Sequence, residues 1–141
     1  MVKLAPRLLL VFAALLLVAG SVLHAMAFNR AVAAISASNL PALFGNILKV
    51  FWLADSTTMV LLAAVFGLLA ARPSAASRSV VALLALVPAS LAVLIYTFLG
   101  NFFAGHVLLV VAAAVFLADL QFPKGQAGRV DAGQPRSAVP M

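Results

Sequence analysis

An antiparallel bundle of four transmembrane helices is the fold class this sequence predicts, and three observations carry it. Hydrophobic residues make up 66% of the 141, charged residues only 9%, and the mean hydropathy is +1.22. Such a chain lacks the polar side chains to cover a water-facing globule, so its solvent is a bilayer. Four apolar runs, residues 8–28, 50–71, 80–99 and 102–120, each approach the roughly 20 residues that span a hydrocarbon core about 30 Å thick. Alternation with period two is almost absent, which disfavours a β-barrel and leaves helices to satisfy the backbone in lipid.

The first run follows Lys3 and Arg7, and "RAVAAISASNLPALFGNILK" after it is apolar enough to extend that helix outward before the chain turns. In "SNLP", Ser38 or Asn39 is a candidate N-cap with Pro41 in the first turn of the second helix. A helix from Leu40 to Ala71 would measure about 48 Å, longer than the bilayer requires. "ARPSAASR" separates the second and third runs as a short polar loop, and "LGN" makes a tight turn before the fourth. The last three helices are therefore expected to be antiparallel neighbours. Pro88 should bend the third, with Ser90 or a neighbour taking up the released carbonyl. Residues 1–122 form one transmembrane domain on this reading, and 123–141, with their Pro, Gly and scattered charge, a disordered cytoplasmic tail.

Charge sets orientation. Lys3, Arg7, Arg72, Arg78, Lys124, Arg129 and Arg136 fall on one side and only Arg30 and Lys49 on the other, which places both termini in the cytoplasm under the positive-inside rule. The opening residues, ending in Ala25-Met26-Ala27, share features with a cleavable signal peptide, but the apolar run is long for one, and Gly20, His24 and Ala27 share a face suited to helix packing. The net charge of +6 sits at the ends of apolar runs, where it meets headgroups, so nucleic acid is not an expected partner. Without cysteine there is no thiol chemistry, disulfide or Cys-bound metal.

Within the spans the polar residues fall at one depth. Measured at about 1.5 Å per residue from the basic markers, His24 and Asp55 lie about 25 Å in, Tyr96 about 27 Å, and His106 between about 20 and 27 Å. Ionisable groups within spans are costly and usually face the interior or a watery cavity. A polar pocket near the outer face is therefore expected, centred on Asp55 with His24, Tyr96 and His106, and with Trp52, Thr58 and Asn101 around it. Trp52, Asp55, Thr58 and Met59 share a helical face, continued by Ala63, Gly67 and Ala71 as a surface another helix could approach. Each residue also has a plainer role. Trp52 and Tyr96 suit an interfacial aromatic belt, Asp55 could pair with a histidine, Arg30 or Lys49, and the histidines could bond backbone carbonyls. Lys49 reads as a snorkelling residue and Asp119 as a helix end at headgroup level.

Several functions fit this pattern. His24, His106 and Asp55 with Met59 or Met26 could ligate a metal such as copper, or the two histidines a haem, although no two share a ligand spacing on one helix. Protonation of Asp55 could drive a proton-coupled small-molecule transporter working as an oligomer. The chain is similar to the small four-helix exporters in size and helix count, but its first span lacks a glutamate. The expected function is an accessory or assembly subunit of a membrane complex or a binder of a hydrophobic ligand, with the chain in a homo-oligomer or a larger membrane protein complex. No nucleophile constellation marks it as an enzyme.

Overall fold

The first helix continues past Phe28, as the stretch after it allows. In the computed structural model, which describes residues 4–72 and 77–121, α1 runs unbroken from Leu4–Ser36, 33 residues or about 50 Å. The chain turns through residues 37–41, and α2 occupies Ala42–Ala71. α3 spans Arg78–Leu99 and α4 Phe103–Gln121. All four helices are long and apolar enough to cross a membrane, and no more than 44% of any one's most apolar stretch is buried within the protein. Leucine and phenylalanine cover their outer faces as densely as their inner ones, the pattern of helices solvated by lipid. The tail expected from residue 123 and the centre of the loop after Arg72 lie outside the described residues.

Local chemistry sets the boundaries, in places differently from expectation. Neither Ser38 nor Asn39 caps α2. Pro41 holds the N-cap position with extended dihedrals, φ −53° and ψ 142°, and its carbonyl accepts from Gly45 N at 3.1 Å. The Ser38 hydroxyl instead donates back to Ile35 O at 2.6 Å, finishing α1. Ser77 does cap α3, accepting from Val80 N at 3.3 Å. Gly100 ends α3 at φ 67° and ψ −143°, a conformation open in practice only to glycine. Pro88 is buried within a continuous α3. Ser90 bonds Val87 O at 2.9 Å, so it does not satisfy the Leu84 carbonyl whose partner the proline removes.

Two antiparallel hairpins make up the fold. α1 lies along α2 from the bond of Arg7 Nε to Ala70 O at the basic end to the packing of Ile35 on Gly45 at the other. α3 lies along α4 from Arg78 beside Asp119 to Tyr96 beside His106. The hairpins join through α1 and α4, so the order across the structure is α2, α1, α4, α3. α2 and α3 share no extended interface, which corrects the expectation that the last three helices are successive neighbours. The face expected at Ala63, Gly67 and Ala71 is also displaced. Ala63 is buried, but Ala71 is exposed and a Cβ added at Gly67 would meet nothing within 4 Å, while Leu62, Phe66, Leu69 and Ala70 carry the contact.

The core fills the half of the structure nearest the basic end. Leu10, Leu17, Phe66, Val81, Val111 and Val115 are almost wholly enclosed there, separated by alanines that let the backbones approach. Toward the opposite end the hairpins diverge. The space between them is the candidate site.

Candidate functional site

α1 and α2 bring His24 and Asp55 together. Their equal distances from the basic residues, about 25 Å along each helix, put them at one level, and antiparallel packing makes them face. His24 Nε2 lies 3.7 Å from Asp55 Oδ2. The other ring nitrogen, Nδ1, is 2.9 Å from the hydroxyl of Ser56, itself 3.3 Å from Trp52 O. The indole of Trp52 stacks on the imidazole, with ring centroids 4.3 Å apart, and its Nε1 donates to His24 O at 2.9 Å. Ser21, one helical turn before His24, donates to Ser56 O at 3.0 Å. Five side chains thus form one network on the α1–α2 hairpin.

Tyr96 and His106 form a second, separate pair. The tyrosine hydroxyl is 2.7 Å from His106 Nδ1, the rings are tilted at 52°, and Gly105 lies close beneath the tyrosine ring. No hydrogen bond or ring contact among the described residues joins this pair to the His24 network. The single four-residue cluster expected at this depth is divided because His106, although α4 adjoins α1, turns to Tyr96 on α3 and away from the cleft that His24 and Asp55 line. Thr58 and Asn101 do not join either group. Both are exposed, and the Thr58 hydroxyl bonds Ala54 O of its own helix at 2.8 Å.

Between the hairpins lies a cleft of about 820 Å³, within the range typical of small-ligand sites. All four helices line it, and α2 and α3, which both contribute to its walls, share no extended interface. The lining is leucine, isoleucine, valine and phenylalanine from α1, α3, α4 and the α3–α4 turn, interrupted on one wall by His24, Trp52 and Asp55 with Met59 below. Gly20, expected to lie at a helix contact, does approach Met59 Sδ, but with His24 and Ala27 it also faces this cleft. Neither Tyr96 nor His106 lines it. A haem or copper site built on His24 and His106 would need both at one centre, and each is engaged with its own neighbour. Among the described residues no three His, Asp or Glu side chains are grouped as metal ligands.

A third polar contact is not legible as such in the sequence. Asp119, expected at headgroup level, is buried at 5% exposure and faces Arg78 Nη2 at 3.7 Å. Its Oδ1 and Arg78 Nε have no hydrogen-bond partner among the described residues. The spacing from Arg78 to Leu99 against Phe103 to Gln121 could have matched the two, since the helices have nearly equal lengths. Ser21 is a further member that depth counting misses, although a serine beside glycine inside a span is itself a helix-contact signal.

These features define an all-helical class of protein: four membrane-length apolar helices in two hairpins, with an apolar cleft that carries one acid–histidine pair. Comparison of the chain with protein-family models, with curated proteins and with solved structures finds no significant match.

Proposed function

We propose that this is a multi-pass inner-membrane protein, a four-helix bundle with both termini cytoplasmic, that binds a hydrophobic ligand in the cleft between its hairpins. The carrying observation is the cleft itself: about 820 Å³, apolar on three sides, with the His24–Trp52–Asp55 network on the fourth. Such a site buries an apolar body and offers a few fixed polar atoms to orient it, the usual composition of a small-molecule pocket. The lack of an extended interface between α2 and α3 supports entry from the bilayer rather than from water.

Native mass spectrometry of the protein released from detergent tests this. A ligand-sized adduct is expected on the native chain and lost in Ala27→Phe, which places a ring in the cleft. Trp52 is the single tryptophan, so a chain-brominated lipid should quench its fluorescence in the native protein and much less in Ala27→Phe. A bare chain whose quenching is the same in both proteins would sink the proposal. The particle mass in the same spectra distinguishes a lone chain, a homo-oligomer and a subunit of a larger complex. Proton-coupled transport of the same ligand is the second reading, favoured by the position of Asp55 on the cleft wall, and flux into proteoliposomes under an imposed proton gradient tests it.

A further inference from the structure

Resting on the cleft reading above, we infer that the ligand carries a cationic, hydrogen-bond-donating head, an amine on an apolar body, whose head sits against Asp55. Hydrogen-bond accounting on the polar wall leads there. Trp52 Nε1–H is committed to His24 O, and the Ser21 hydroxyl to Ser56 O. Ser56 lies between His24 Nδ1 at 2.9 Å and Trp52 O at 3.3 Å, so its single proton goes to one or the other. When the proton goes to Trp52 O, Nδ1 of His24 must donate to Ser56. The neutral ring then turns the lone pair of Nε2 toward Asp55, and two acceptors confront one another at 3.7 Å. When it goes to His24, Nε2–H points at a carboxylate 3.7 Å away, beyond hydrogen-bond length.

In both neutral tautomers the Asp55 carboxylate has no donor within hydrogen-bond length among the described residues, a protonated His24 would stand at the same 3.7 Å, and the carboxylate faces a cleft whose other walls are apolar. An acceptor with negative charge in such surroundings favours a positive donor most, a neutral donor less and an anion least, because apolar walls screen the difference less than bulk water does. An ammonium reaching Asp55 also meets the 3.7 Å gap to His24, wide enough for a donor to serve both acceptors in the first tautomer. The apolar tail then runs along Leu94, Phe98 and Phe103 on the facing wall.

The test uses three probes of equal chain length, dodecylamine, dodecanol and dodecanoate, titrated into the full-length protein in uncharged maltoside micelles and read by Trp52 fluorescence. The same titrations on Asp55→Asn subtract partition into the micelle, which is common to both proteins. The amine should bind the native protein about tenfold or more tightly than the alcohol, the size of one charge-assisted hydrogen bond, and Asp55→Asn should abolish that preference while still binding the alcohol. Equal binding of all three by the native protein, or a preference that survives Asp55→Asn, overturns the amine inference and leaves the cleft reading standing. Failure of all three to bind the native protein overturns both. Circular dichroism and a monodisperse elution profile establish that Asp55→Asn is folded, and Asp55→Glu, which keeps the charge, should retain part of the preference.

Discussion

The imidazole of His24 lies nearly parallel to the indole of Trp52, their planes 12° apart, while the indole nitrogen is bonded to the backbone carbonyl of the same histidine. One residue on α1 therefore holds the tryptophan twice, by its ring and by its main chain. Only the first hold depends on the side chain. His24→Leu should shift Trp52 emission and lower stability by about 1 kcal/mol, the worth of one aromatic stack. His24→Phe should restore the emission maximum, because a ring again covers the indole. Emission spectra and thermal melts of the three proteins in one detergent check this, and a His24→Leu spectrum identical to the native one would contradict it.

Two serines hold α1 to α2 in different ways, and their alanine variants should rank accordingly. Ser56→Ala removes the Nδ1 partner of His24 and leaves a half-buried ring nitrogen unpaired, at about 1 to 2 kcal/mol. Ser21→Ala removes only an added bond to a helical carbonyl, at about 0.6 kcal/mol. Reversible unfolding in mixed micelles should show the larger loss for Ser56→Ala. The reverse order would mean that His24 turns to another partner.

Glycines 105 and 67 make an opposed pair. A Cβ at Gly105 would stand 3.1 Å from two atoms of the Tyr96 ring and 3.2 Å from Ile95, while the ring is tied to His106. Gly105→Ala should therefore destabilise the α3–α4 hairpin by about 1 kcal/mol or more and lengthen the Tyr96–His106 bond. Gly67→Ala meets open space inside α2 and should stabilise by up to about 1 kcal/mol through helix propensity. Thermal melts read both, and a stabilised Gly105→Ala would show that the tyrosine can swing aside freely.

Arg78 and Asp119 join the basic ends of α3 and α4, with one buried atom on each side unpartnered among the described residues. Asp119→Ala should cost about 1 to 3 kcal/mol, less than a fully buried pair because Arg78 is a third exposed. Replacing both partners, Arg78→Met with Asp119→Leu, should recover most of that loss, since two desolvated charges leave together. Unfolding of the single and double variants forms a cycle. A double variant no better than Asp119→Ala would show that the pair adds net stability.

How far the site is legible from sequence differs residue by residue. The shared level of His24 and Asp55 follows from counting residues back to Arg7 and Arg72, because helical rise is fixed and depth is a one-dimensional quantity. The same counting puts Tyr96 and His106 at that depth and suggests a common cluster. Depth alone carries no information about sideways position, so it cannot separate the two pairs. Thr58 shares the face of Trp52 and Asp55 by periodicity, yet the hairpin's crossing leaves it outside, bonded to its own helix. Asp119 looks superficial because it stands near a helix end, and the facing Arg78 belongs to a different run.

The sequence by itself determined the number of helices, their apolar character and the level of each polar residue along its helix, since these depend on local composition and a constant rise per residue. Tertiary structure alone decided the lateral order α2, α1, α4, α3, which turns His24 and Asp55 into a cleft, sends Tyr96 and His106 elsewhere and buries Asp119. That order depends on which small residues let two backbones approach. In a chain apolar on every face, hydrophobicity does not distinguish a lipid-facing side from a helix-facing one.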